Sequence, residues 1–223
     1  DVNQLSSDLI TEKNRVITAS SPENEGVIIP TESDLKNILQ TVLSSEIQPY
    51  VDTVSDEPLI GALASPGKVV SSVTFDEIGV TQWTLENGVR VVLKPTDFKN
   101  DEILFYAHSP GGNSLVEDKD FMAAQTASSI ITESGIGNFN KIELDKLLSD
   151  KIVSVSPWID GLSEGLKGNV SPQDMETMFQ LIYQYFNAPR LDRTSFSAYK
   201  SRIEGWIENR NARPENVFRD SIQ

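Results

Sequence analysis

The chain of 223 residues has no cysteine and a single histidine, His108. The first absence excludes disulfides and thiolate chemistry, and is compatible with an exported protein without requiring one. The second leaves little for a zinc site, which ordinarily draws on several nitrogen and sulfur ligands. Basic residues are also scarce: 19 Lys and Arg stand against 33 Asp and Glu, a formal net charge of -14. Such a surface repels phosphate backbones and speaks against binding nucleic acid or an anionic membrane. No apolar run approaches a membrane span, so no membrane insertion is expected, and no signal peptide or lipidation motif opens the chain. Both ends fall inside polar, helical-looking stretches, so the chain is expected to be a piece of a longer protein. No short-period repeat or low-complexity tract is present.

Hydrophobic residues make up 38% of the chain, enough for a real core. The clearest signal runs from Trp83 to Gly112. Asn87-Gly88 sits between Trp83-Thr84-Leu85 and a β-branched run through Val89, Val91 and Val92, which predicts a hairpin. A further strand is expected over 102–108, with Gly111-Gly112 closing it. Upstream, 15–19 is a strand candidate. Thr31 caps a helix whose apolar positions Leu35, Ile38, Leu39, Val42 and Leu43 recur at helical spacing. From 50 to 72 no period is visible and Pro58, Gly61, Pro66 and Gly67 intervene. Downstream, helices are expected at 118–132 and 140–149, and strands at 151–156 and 159–166, with Pro157-Trp158 as an interruption. Ser171-Pro172-Gln173-Asp174 is the sharpest helix start. Met175, Met178, Phe179, Ile182, Tyr185 and Phe186 then form a stripe read as core, a peptide-docking surface being the alternative. Another helix over 192–209 should turn Phe196, Tyr199, Ile203, Trp206 and Ile207 inward.

Five segments together carry a family resemblance: Trp83-Thr84-Leu85-Glu86-Asn87-Gly88-Val89, Lys94-Pro95-Thr96-Asp97-Phe98-Lys99, Ser109-Pro110-Gly111-Gly112, Thr132-Glu133-Ser134-Gly135 and Glu164-Gly165-Leu166-Lys167-Gly168. Over roughly 73–223 the chain resembles the pitrilysin-type zinc peptidases, the inverted-motif proteases with duplicated α/β halves. The resemblance implies three parts: 1–49 as the last elements of a preceding α/β domain, 50–72 as an inter-domain linker, and 73–223 as an α+β domain truncated at its C-terminus. The fold expected for that domain is two-layered, with an antiparallel or mixed sheet packed against helices.

That family works through His-x-x-Glu-His on the first long helix after the hairpin, where two histidines hold zinc and the glutamate takes a proton from metal-bound water. Here the helix reads Met122-Ala123-Ala124-Gln125-Thr126-Ala127-Ser128-Ser129-Ile130-Ile131, without histidine or carboxylate. The resemblance therefore implies the non-catalytic half. No catalytic, cofactor or metal residue is assigned in this chain, and zinc is expected in the catalytic half of the parent.

Isolated residues offer little chemistry of their own. His108 would need Glu117, Asp118 and Asp120 to bind a metal, and reads better as a half-exposed residue at a strand end. Glu133 has no neighbour in sequence to make it an acid catalyst, and reads as an inter-element or helix-end hydrogen bonder. Glu164 is expected to pair with Lys167 or to support the turn before Ser171. Gly161-Leu162-Ser163-Glu164-Gly165 has the bare spacing of a nucleophile elbow, but no histidine follows it. Ser109 to Gly112 lacks the Lys-Ser/Thr ending of a phosphate loop.

Two functions are implied by the resemblance. In the first, the chain is a non-catalytic part of a zinc metalloendopeptidase that encloses peptides or small unfolded proteins, and it forms chamber wall and substrate contacts. Alone it is expected to be inactive; its partners are the missing catalytic half and, through the parent, a peptide, and the parent is expected in the periplasm or otherwise exported. In the second, the parent lacks the zinc motif altogether and is a scaffold for a catalytic homologue.

Overall fold

The structure, a computed structural model, describes residues 5, 9, 16–20, 26, 28–46, 48, 57–62 and 65–222. The chain divides into two compact units, Asp1–Asp52 and Thr53–Gln223. In the first, helix α1 spans Glu32–Ser44. It starts at Thr31 because Thr31 and Asp34 form a capping box: the Asp34 amide donates to Thr31 Oγ1 at 3.2 Å and the Thr31 amide to Asp34 Oδ2 at 2.8 Å. The strand expected over 15–19 does not form where the chain is described: 16–20 is irregular and exposed, with no strand beside it to supply ladder bonds among the described residues.

The second unit is α+β, with two antiparallel three-stranded sheets instead of one. The first has the order β1-β2-β3, made of β1 (Val69–Phe75), β2 (Val80–Leu85) and β3 (Arg90–Leu93). The predicted hairpin is β2-β3. Its loop is Glu86-Asn87-Gly88, closed by Leu85 N to Val89 O and Gly88 N to Leu85 O, both 2.9 Å, with Gly88 at φ 84°. Strand β1 begins inside the segment read as a linker. The chain then leaves this sheet through Lys94-Pro95 and a run rich in charge. Proline has no donor for a ladder at that point, which ends the pairing before the next strand begins.

The second sheet has the order β4-β6-β5, made of β4 (Ile103–Pro110), β5 (Val153–Ile159) and β6 (Ser163–Val170). Strand β5 continues through Pro157, contrary to the expected interruption. It lies at the edge of the sheet, where a missing donor on the outer side costs no ladder bond. The return strand starts four positions later than predicted, because Asp160 to Leu162 make the turn.

Helices cover one face of this sheet. Helix α2 (Phe121–Ser134) packs on β5 and on α5 (Arg193–Asn209); α3 (Lys141–Leu147) follows α2; α4 (Met175–Asn187) lies on β5 and β6; α6 (Pro214–Ile222) comes last. Asn140 caps α3 through the amides of Ile142 and Glu143, at 2.9 and 3.0 Å. Ser171 caps the 3-10 turn that leads into α4. The core between the layers holds Val155, Leu166 and Val170 from the sheet, Met178 and Leu181 from α4, and Leu144 from α3. Two loop residues, Ile136 and Phe139, are buried with them, as is Leu59 from the stretch expected to link domains.

Helix α4 buries a different side from the one predicted. Met178 and Leu181 are buried and Ile182 and Tyr185 pack partly against them, whereas Met175, Phe179 and Phe186 are 42%, 54% and 70% exposed. Apolar residues occupy most of the circumference of this helix, so helical spacing admits two overlapping stripes. The sheet takes 178-181-182-185 and leaves 175-179-183-186 outside. Helix α5 likewise buries none of its residues, and Phe196, Ile203, Trp206 and Ile207 all stay exposed.

Candidate functional site

Helix α2 is the first long helix after the hairpin. Its small residues fit it closely to the sheet, and its hydroxyls turn back on its own backbone. Thr126 Oγ1 donates to Met122 O at 2.8 Å, Thr132 Oγ1 to Ser128 O at 2.8 Å, and Ser134 Oγ to Ile130 O at 2.7 Å. Gln125 and Ser129 are exposed and Ser128 is half-buried. Glu133, in the last turn, pairs with Arg202 of α5, whose guanidinium also lies 5.2 Å from the Tyr199 ring. The carboxylate of Glu133 thereby ties two helices together.

His108 projects from the helix-free face of the second sheet and is exposed. Glu117 pairs with Lys119 at 2.7 Å, and Asp118 and Asp120 belong to a 3-10 turn. These residues do not converge on His108: among the described residues no group of three or more His, Cys, Asp or Glu is disposed to hold a metal ion.

Glu164 departs from its expected pairing. Positions 164 and 167 on a strand point to opposite faces, so Lys167 is out of reach. Glu164 Oε2 instead accepts from the Gly112 amide at 3.2 Å. That bond belongs to a seam between two turns, in which Gly111 N donates to Leu162 O, Asn113 N to Asp160 O and Ser114 N to Gly161 O, at 2.8 to 2.9 Å. Gly112 is required here: its φ is 65°, and a Cβ would stand 2.2 Å from the Asp160 carbonyl. Ser163 opens β6 and no helix follows it directly, so the strand–turn–helix geometry of a nucleophile elbow is absent.

The outer face of the second sheet carries a stacked aromatic pair. Leu104, Tyr106 and His108 of β4 share it with Lys167 of β6 and Trp158 of β5, by the register His108–Gly165–Trp158 across the three strands. The Tyr106 and Trp158 rings stack, with centroids 5.3 Å apart and an interplanar angle of 15°. Gly165, opposite both His108 and Trp158, keeps the strands close: a Cβ there would stand 1.9 Å from the Ala107 carbonyl oxygen and 3.0 Å from the Trp158 ring. Sequence reasoning missed this stack, although the signal was available in strand alternation once the register of β4, β5 and β6 was set. It missed Leu59 too, whose carbonyl accepts from Gln184 Nε2 of α4.

The Asp174 carboxyl is held below the usual carboxylate range, first by the Ser171 hydroxyl at 2.7 Å, then by the Ile152 amide at 2.9 Å and by the charge of Lys151. It fastens the start of α4 to the sheet. Burial raises the Tyr185 phenol above its ordinary range, against a smaller opposing effect from Thr132.

No family model matches the chain. It is similar to curated zinc proteases: 25% identical over 208 residues to the protein of Arabidopsis thaliana named "Zinc protease PQQL-like", covering 92% of this chain and 21% of that one. It is 19% identical over 142 residues to "Probable zinc protease PqqL" of Haemophilus influenzae, covering 64% and 15%. The chain thus spans about a fifth or less of the length of these relatives. Among solved structures, the fold matches the periplasmic protease PqqL of Escherichia coli with a TM-score of 0.65 at 18% identity, over 86% of this chain and 21% of that one. It also matches a mutant of the ferredoxin protease FusC in complex with Arabidopsis ferredoxin, with a TM-score of 0.53 at 21% identity, over 74% and 18%. The resemblance to pitrilysin-type zinc peptidases therefore extends from the quoted segments to most of the chain and to its α+β fold.

Proposed function

We propose that this chain is a non-catalytic portion of a zinc metalloendopeptidase, forming chamber wall and contacting the peptide that a separate catalytic half cleaves. One observation carries the reading. The helix in the place of the metal motif, α2, offers side chains that bond its own backbone, while the relatives of this chain are named zinc proteases. Zinc and the water-activating glutamate then belong to the catalytic half. The three-part division of the sequence accompanies this proposal: 1–49 closes a preceding domain, 50–72 connects while lending Leu59 and the start of β1 to the second unit, and 73–223 builds the wall. Export of the parent is part of the same reading, supported by a periplasmic fold neighbour.

The test compares this chain with its parent in a fluorogenic peptide assay. The chain alone is expected to release no fluorophore. The parent is expected to cleave, to stop when zinc is chelated, and to recover when zinc is restored. A parent without His-x-x-Glu-His and without chelator-sensitive cleavage would overturn the peptidase reading and leave a scaffold.

A further inference from the structure

The segment 57–61 lies within the stretch read as a linker, yet it is clipped to the second unit. It belongs to neither a helix nor a strand. Pro58 and Gly61 are exposed, while Leu59 between them is buried, at 6% exposure. The Leu59 side chain joins the core cluster that holds Ile136, Phe139 and Leu181. Its carbonyl accepts from Nε2 of Gln184, near the end of α4. Gly137 gives that amide its room: a Cβ there would stand 3.3 Å from Gln184 Nε2. A second, longer bond runs from Asn138 Nδ2 to Glu57 Oε2 at 3.4 Å. Around these points the fit is loose, since an open cleft of about 330 Å³ lies beside the segment, bounded in part by Pro58, Gly61, Gly137 and Ala188. Pro58 has its φ fixed by its ring, which lowers the entropy lost in seating Leu59.

We infer that Leu59 and Gln184 form a latch that fastens the connector to the second unit and can open without unfolding it. The connector then leaves the second unit at Glu57 and not at 72. Leu59 supplies the grip, and Gln184 is a positioning residue that acts through the Leu59 carbonyl. Because 57–61 has neither a ladder nor a helix of its own, opening exposes the Leu59 side chain and breaks the bonds from Gln184 and Asn138. Strands β5 and β6 and helix α4 keep their mutual packing through Val155, Leu166, Val170, Met178 and Leu181. A segment held in this way opens at a lower free energy than the global fold. The inference rests on the proposed function for the reading of 50–72 as a connector, while the latch is a property of this chain alone.

The experiment is limited proteolysis of this 223-residue chain by proteinase K, with the cut sites read by mass spectrometry and amide hydrogen exchange measured on the same samples. Gln184→Ala removes the donor to the Leu59 carbonyl. It is expected to speed cutting within 57–62 about tenfold or more, while exchange in β5 and β6 stays as in the unaltered chain. Gln184→Glu should act in the same way, because an ionised carboxylate accepts hydrogen bonds but cannot donate one. Gln180→Ala, one turn earlier, where the amide bonds Glu176 at 3.1 Å, should change neither reading. No faster cutting with either Gln184 variant overturns the inference. So does faster exchange spread equally through β5 and β6, which would make the segment an inseparable part of the core. Cutting within 57–62 of the unaltered chain as fast as in a free peptide of that sequence overturns it as well. Any of these beside a parent that cleaves removes this inference alone; a latch that opens as expected beside a parent without zinc-dependent cleavage removes only the proposed function.

Discussion

The two sheets of the second unit match in strand number and antiparallel pairing, yet one is a core layer and the other is not. The β4-β6-β5 sheet buries Val155, Leu166 and Val170 under α2 and α4. The β1-β2-β3 sheet has no buried residue: every position of β1 is exposed and every position of β2 is half-buried. A ladder of hydrogen bonds suffices to define a sheet, but burial of apolar area is what makes one stable, at about 25 cal/mol per Å². The first sheet is therefore held by its turn and its pairing, and the second by its helices.

The sharpest way to break this contrast is by truncation. Leu181→Ala on α4 is expected to cost about 2–5 kcal/mol of unfolding free energy in a denaturant melt, and Leu59→Ala a similar amount, because both are buried in the core. Val92→Ala on β3, 61% exposed, should change it by less than about 0.5 kcal/mol. Comparable losses at Val92 and Leu181 would show that the first sheet is a core layer after all.

A glycine pair sharpens the same contrast at a smaller scale. Gly112 and Gly88 both have positive φ, but a Cβ at Gly112 meets the Asp160 carbonyl while one at Gly88 meets nothing within 4 Å. Gly88→Ala is expected to cost about 1 kcal/mol for conformation alone. Gly112→Ala adds a backbone collision and should exceed about 2 kcal/mol, in the range of strained functional turns. Thermal melts of the two variants provide the check, and equal shifts would deny the seam between the two turns.

Phe179→Ala on α4 should cost about 1 kcal/mol or less, since more than half of the side chain already meets solvent. A loss of about 3–5 kcal/mol, the range for a buried large side chain, would restore the core reading made from the sequence.

Much of the fold was legible in local chemistry. Thr31 with Asp34 and Ser171 with Asp174 announce helix starts that form as read, while the capping box of Asn140 and Glu143 went unread although its residues are in the sequence. Asn87-Gly88 announces its hairpin. What the residues could not convey was which partner each apolar surface meets. The stripe of α4 is ambiguous because two faces of one helix are apolar, and only the sheet beneath it chooses. Leu59 is silent because a lone leucine among prolines and glycines has no period. At the candidate site, the lack of a metal motif on α2 is read directly from residue types. The bond from Glu164 to Gly112 and the stack of Tyr106 on Trp158 depend on strand register, which a slip of a few residues in the return strand conceals.

Asp174 yields the smallest effect, visible only against pH. Its folded pKa is depressed, so its contribution to stability is present above the unfolded carboxylate pKa, about 3.9, and is lost as pH falls through the lower folded value. Asp174→Asn is therefore expected to flatten the acid limb of the stability profile below about pH 4, measured by urea midpoints across pH. An unchanged limb would mean that this carboxylate does not tie α4 to the sheet in solution.

The proline in β5 has a bearing on how copies of this protein can meet when crowded. A sheet that accepts a neighbour on both sides is a bifunctional unit, and such units propagate into fibres. Pro157 closes one side of the β4-β6-β5 sheet, which leaves the unit monofunctional. Any self-association through this sheet therefore stops at a pair, because the β5 side of each copy cannot pass the ladder on.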